Sequence, residues 1–146
     1  MRKLLRWLTR APVRRRVVAA VPVRRRAAGG VEFLLVRTRT GDRWTFPKGG
    51  CERGETLAEA AAREAVEEAG AAGRIGEQPI AEYRYGDDLV TAFLLEVERA
   101  DLTAEPERDP TWFAFEAARS KLAEGRQAAS GEEMKRVLRA AQRAVT

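Results

Sequence analysis

Histidine is absent from this 146-residue chain. That excludes histidine general acid/base chemistry, Ser-His-Asp triads and histidine-ligated zinc. Cys51 is the only cysteine, so no disulfide forms within the chain and a reducing cytoplasm is the expected setting. No window approaches the ~20 consecutive apolar residues of a membrane-spanning helix. The opening MRKLLRWLTRAPVRRR is basic but lacks the uninterrupted apolar core of a secretory leader. Internal repeats and low-complexity linkers are missing too. The remaining length suits one domain with a real core.

Charge is plentiful and uneven. Residues 1–50 hold 14 Lys or Arg against 2 Asp or Glu, a net of +12; the remainder hold 13 against 20, a net of −7, which together give the overall +5. A basic half predicts an anionic partner, whether a phosphorylated small molecule, nucleic acid or a membrane surface; an arginine-rich solvated face accounts for the same charge. Residues 1–16 read as a basic extension in which Leu4, Leu5, Trp7 and Leu8 form a short apolar stripe closed by Pro12. Residues 17–146 then read as one domain.

Residues 17–24 and 31–37 are rich in β-branched and apolar residues and predict two strands around an AAGG turn. WTF, residues 44–46, predicts a few extended residues before Pro47, and PKGGCERGE a glycine-rich loop. Thr56 with Glu59 three residues later forms a capping box, and Gly70 suits a left-handed C-terminal cap, so a helix is predicted over 57–69. PIAEYRYG and LVTAFLLEVE predict strands around a turn at Asp87 and Asp88. TWFAF predicts a short strand, and residues 116–123 and 132–145 predict helices separated by GRQAASG. This order implies an α/β (α+β) fold, a mixed sheet with helices against it.

The 57–69 helix raises a problem. Glu64, Glu67 and Glu68 fall within a sector of roughly 100°, where like charges repel by a few tenths of a kcal/mol per pair. Beside them runs a face of Ala58, Ala61, Ala62, Ala65 and Ala69 suited to close packing. A solvated Glu-rich surface, with Arg63 pairing Glu59 or Glu67, is one explanation. A hard divalent cation such as Mg²⁺ or Mn²⁺ is the other, since it turns the repulsion into ligation by oxygen donors. The preceding glycines let backbone approach a ligand closely, and Lys48 can meet a phosphate.

The segment Gly49–Ala71, GGCERGETLAEAAAREAVEEAGA, resembles the Nudix box, G-x5-E-x7-R-E-U-x-E-E-x-G-U, with U a bulky aliphatic residue. Gly49, Glu55, Arg63, Glu64, Glu67, Glu68 and Gly70 match. The two U positions hold the smaller Ala65 and Ala71. The RWTFPKG lead-in and Trp112 after an acidic loop extend the likeness over most of residues 17–146.

That resemblance implies a Nudix-like α/β/α sandwich and a hydrolase that cleaves a diphosphate linkage with Mg²⁺ or Mn²⁺. It implies Glu64 and Glu68 as metal ligands, Glu67 as ligand or general base, and a backbone carbonyl of Lys48 or Gly49 as a further ligand. Glu55 and Arg63 become braces between loop and helix. The acidic loop AEPERDP would supply an extra carboxylate, with Glu107 first and Asp109 and Glu105 as alternatives. Arg16, Arg37, Arg39, Lys48 and Arg84 are the candidates for additional phosphates, although any one of them singly also reads as a solvated cation. Trp44 and Phe46 offer either base stacking or, more simply, packing beside the Pro turn.

The lead-in looks like the branch with diadenosine polyphosphate and diphosphoinositol polyphosphate hydrolases, and less like the ADP-ribose branch. Nucleoside triphosphate and RNA 5′-end pyrophosphohydrolase activities are the alternatives, followed by a nucleic-acid-binding protein on a Nudix scaffold and by a peripheral membrane protein held by KLLRWL. The partners expected are a polyphosphorylated small molecule and, second, RNA, with no stable membrane association, in a monomer or homodimer.

Overall fold

A computed structural model describes residues 16–146; the expected basic extension and its apolar stripe fall almost wholly outside the described residues. The β-branched run becomes the central strand β1 (Val17–Arg25). Antiparallel to it lie β2 (Val31–Arg37), with Val23 opposite Phe33, and β4 (Lys48–Gly50), with Val18 opposite Gly49. Its other edge pairs in parallel with β7 (Asp88–Arg99), from Val17 opposite Val90 to Val23 opposite Glu96. That parallel pair makes the sheet mixed. β3 (Trp44–Thr45) and β8 (Thr111–Ala114) extend β2, while β5 (Ala72–Ile75) and β6 (Ala81–Tyr85) share β7 between them.

Both faces of the sheet are covered. Side chains alternate along a strand, so Val18 and Ala20 of β1, with Phe93 and Leu95 of β7, pack on α1 (Leu57–Ala69) through Ala60, Ala61 and Ala65. Ala19, Val21 and Val23 point the other way, into a larger core closed by α2 (Phe115–Ala123) and α3 (Ala128–Val145). The result is the expected α/β/α arrangement. The alanines of α1 matter for the site, because methyl side chains let this helix settle close to the sheet and hold its glutamates at β4.

Several elements differ from the sequence reading. Two strands were not predicted: β4, which forms inside the stretch expected as a glycine-rich loop because its backbone completes the edge of β1, and β5, where Ala72–Ile75 has no β alternation and the pairing with β7 includes a register shift at Ala72/Gly73. The hairpin turn is Gly86–Asp87, with φ 60° at Gly86, and Asp88 opens β7 opposite Tyr85. Phe115 opens α2 rather than closing the preceding strand. α3 starts at Ala128 and runs through Gly131, since the buried stripe Met134, Val137, Leu138, Ala141 and Val145 outweighs one glycine's low propensity. None of the helices among the described residues is long and apolar enough to cross a membrane.

Candidate active site

α1 is fixed at both ends. Thr56 Oγ1 accepts from Glu59 N at 3.0 Å, and Thr56 N donates to Glu59 Oε1 at 2.9 Å. At the other end Gly70 takes φ 64°, and a Cβ there would fall 2.2 Å from the Leu102 carbonyl oxygen. Only glycine suits both the left-handed backbone and that approach. The loop leaving β7 docks on this terminus, Leu102 N donating to Gly70 O at 3.1 Å and Glu105 N to Glu67 O at 2.8 Å.

Arg63 ties the helix to the glycine-rich loop. Its Nε and Nη2 donate to the two oxygens of Glu55 at 2.7 and 2.9 Å, and Nη2 also donates to Gly50 O at 2.8 Å. The Arg63 hydrogen bonds hold the Glu55 carboxyl below the usual carboxylate range, and Glu55 in turn holds Arg63 in its charged form. Bonds in which both partners are charged are shorter and more directional than neutral ones. Arg63→Met is therefore expected to lower the urea midpoint and loosen the loop against the helix, through loss of its bonds to Glu55 and to the Gly50 carbonyl.

The three clustered glutamates meet unequal surroundings. Glu64 and Glu68 are buried, at 7% and 5% exposure, while Glu67 is exposed. Glu68 Oε1 accepts from Lys48 N at 3.0 Å, and its Oε2 lies 3.4 Å from Arg108 Nη2. Burial pushes the Glu68 carboxyl up to about 7, opposed by the Lys48 N–H and by Arg108, and the neighbouring Glu64 pushes the same way as burial. Glu64 Oε1 takes Arg63 Nη1 at 3.0 Å. A Cβ on Gly49 would lie 2.2 Å from that same Glu64 oxygen, so the missing side chain is what lets the carboxylate stand against β4.

These groups line a cleft of about 630 Å³ with Thr45, Arg39, Lys48, Tyr85, Glu105 and Arg108. Lys48 Nζ sits 4.1 Å from the centroid of the Tyr85 ring. Among the described residues neither Arg39 nor Lys48 has a carboxylate at ion-pair distance. The structure thus brings Glu64, Glu67, Glu68, Lys48, Gly49 and Arg39 together.

Other candidates lie elsewhere. Arg37 stacks on the Trp44 ring at 4.3 Å and pairs with Asp109 at 3.4 Å. Arg84 is exposed on β6, its backbone N–H donating to Glu133, and Arg16 is exposed ahead of β1. Glu107 lines an adjoining recess of about 300 Å³ with Arg39, whereas Glu105 lines both spaces. Trp44 and Phe46 are buried, edge-on to Phe113 and Tyr83 at 5.2 and 6.2 Å between centroids, and so pack rather than stack on a ligand. Sequence reasoning missed Tyr85 and Arg108. Tyr85 carries no motif, and Arg108 stands inside an acidic run that draws attention to its carboxylates.

A divalent cation fits the donor set. No three Asp, Glu or Cys side chains among the described residues converge as a ready cage, because Arg63 draws Glu67 back to 3.2 Å from Nη1 and Arg108 holds Glu68. The donors offered are nevertheless all hard oxygens, with the two buried carboxylates of Glu64 and Glu68 set beside the exposed Glu67 and the backbone of β4.

The NUDIX domain family matches residues 13–135. Nudix hydrolase 4 of Arabidopsis thaliana is 33% identical over 120 residues, 72% of this chain and 58% of that protein. The mitochondrial Nudix hydrolase 17 of the same plant is 41% identical over 71 residues, 44% of this chain and 39% of that one. The chain thus spans less than two thirds of each of these relatives. Their names include mitochondrial and chloroplastic forms, so they do not place this chain in the cytoplasm. Among solved structures, an Ap4A hydrolase from C. elegans superposes with a TM-score of 0.69 at 24% identity, covering 92% of this chain and all of that one. A NUDIX hydrolase from Nitrosomonas europaea gives 0.63 at 20% identity, covering 90% of each. At these identities the structures share the fold.

Proposed function

Since the chain belongs to the Nudix hydrolase family, whose members act on pyrophosphate bonds and generally use a divalent metal, typically Mg²⁺, we propose that it cleaves a diphosphate linkage in a polyphosphorylated small molecule. A dinucleoside polyphosphate or a diphosphoinositol polyphosphate is the substrate class favoured. The observation that carries this is the buried Glu64–Glu68 pair facing a cleft whose other walls present Arg39 and Lys48. Residues 17–146 act as one hydrolase domain on this reading.

Glu64 and Glu68 would hold Mg²⁺ or Mn²⁺ together with a backbone carbonyl of Lys48 or Gly49, and Glu67 would serve as a further ligand or as the general base. The bound cation would lower the pKa of water and neutralise phosphate charge. The chain's own groups do the rest. Arg39 and Lys48 bind phosphate oxygens, and Lys48 is steadied by Tyr85. Glu67, exposed on the cleft and paired with Arg63 at 3.2 Å, would in its general-base role accept the proton of the attacking water; a carboxylate suffices for that step, so the absence of histidine is no obstacle. Substitution at phosphorus demands positioning and charge stabilisation more than a protein nucleophile. The C. elegans neighbour with the same fold is called an Ap4A hydrolase, which adds support for the dinucleoside class.

Phosphate or nucleotide release from a panel tests the proposal. Diadenosine tetraphosphate, diphosphoinositol polyphosphates, nucleoside triphosphates and 5′-triphosphate RNA would be compared with Mg²⁺ and with Mn²⁺. The first two are expected to turn over at least about tenfold better in kcat/KM than the others. Preference for triphosphates or RNA would replace the substrate class, and no turnover of any of them would sink the proposal.

A further inference from the structure

Arg108 is the one buried arginine among the described residues, at 7% exposure, and it lines the cleft. The backbone is shaped to put it there. Glu107 and Asp109 on either side take φ 69° and 49°, a left-handed conformation uncommon for residues with a Cβ. Arg37 N donates to the Arg108 carbonyl at 2.7 Å, and Arg108 Nη1 donates back to the Arg37 carbonyl at 3.2 Å, which pins the loop to the end of β2.

The guanidinium is used unevenly. Nε donates to Glu105 at 2.9 Å and Nη1 to Arg37. Nη2 faces Glu68 Oε2 at 3.4 Å as an ion pair without a hydrogen bond. The edge directed at Glu68 therefore keeps donors to spare. A resident cation beside Glu68 must also weaken the attraction of that carboxylate for a second cation, strongly so in a buried setting.

We infer that Arg108 exchanges partners during the catalytic cycle, neutralising Glu68 in the free protein and turning its Nη2 edge to a substrate phosphate once a divalent cation takes over Glu68. The phosphate half of this rests on the diphosphatase reading; the competition half does not. A planar guanidinium matches two phosphate oxygens, and Glu105 and Arg37 hold it in place for that contact. An arginine serving only to anchor the loop would behave differently, since its loss would loosen the site toward cation and substrate alike.

The two roles give effects of opposite sign, which makes them testable together. Arg108→Met is expected to bind Mn²⁺ about 3–10-fold more tightly without substrate. With the best substrate of the panel it is expected to raise KM about tenfold or more, with a smaller change in kcat. Arg108→Lys, which keeps the charge and loses the fork, should restore wild-type Mn²⁺ affinity and recover part of KM. Mn²⁺ affinity read from the free-ion EPR signal, on protein shown to melt cooperatively, decides the first half. If Arg108→Met does not fold, Arg108→Gln and Arg108→Lys are compared in the same way. Unchanged or weakened Mn²⁺ binding in the charge-removing variant overturns the exchange, as does an unchanged KM. If wild-type protein hydrolyses nothing in the panel, the function fails, yet tighter Mn²⁺ binding would still uphold the competition.

Discussion

Glu68→Gln is expected to lower kcat/KM by about 10²–10⁴-fold while leaving the fold intact. The amide keeps the shape of the carboxylate and keeps an oxygen for the Lys48 N–H, so the 3.0 Å contact between β4 and α1 survives. What is lost is the charge that the cleft is built to present. The stability effect runs the opposite way. Burial raises the Glu68 carboxyl from 4.5 to about 7, so folding favours its protonated form. The contribution is full below the ordinary carboxylate range and disappears as pH climbs through about 7. Without divalent cations, Glu68→Gln should then be more stable than wild type at pH 8 by about 1–3 kcal/mol, and indistinguishable from it near pH 4. Urea melts at the two pH values, alongside panel kinetics, check both halves. A variant that is inactive and also less stable at pH 8 would mark Glu68 as structural instead.

Gly49→Ala is the second large effect. The added methyl would meet Glu64 Oε1 at 2.2 Å. The obstacle is the end of a side chain, so the fold can yield by swinging Glu64 away, at about 1 kcal/mol or less. The carboxylate, however, leaves its place beside Glu68 and loses its 3.0 Å bond to Arg63. A displacement of about 1 Å in a group that holds the reacting centre costs about 10²-fold in rate. Loss of at least that factor in kcat/KM, with only a modest drop in the melt from the lost Glu64–Arg63 bond, is the expected pair of results. Near-normal activity would show that Glu64 is not needed where it stands.

Much of this site was legible because α1 announces itself twice. Its caps, Thr56 with Glu59 and then Gly70, bound the helix at residues 57–69 as observed, and the helical period then places Glu64 and Glu68 near each other. Their difference from Glu67 was not legible. One turn's spacing does not tell which carboxylate the sheet and the docked loop will bury.

The arginines show the same limit from another side. Whether Arg37 or Arg39 reaches the cleft depends on how β2 ends and on the Trp44 ring, which captures Arg37. Strand register and loop packing, not residue type, make that choice. Arg108 was invisible for a related reason. A lone arginine among acidic loop residues has no periodicity to mark it, and only the pairing of the loop with β2 turns it inward. β5 escaped because its four residues are held by an existing edge of β7 rather than by their own propensity.

The central claim is that the close-set glutamates of α1 are built to hold a divalent cation. Mn²⁺ titration of wild-type protein, Glu64→Gln and Glu68→Gln, followed by the free-ion EPR signal without substrate, tests it most directly. The account predicts saturable binding by wild type and affinity weakened about tenfold or more in each variant. Equal binding by all three proteins, or none by any, would contradict it.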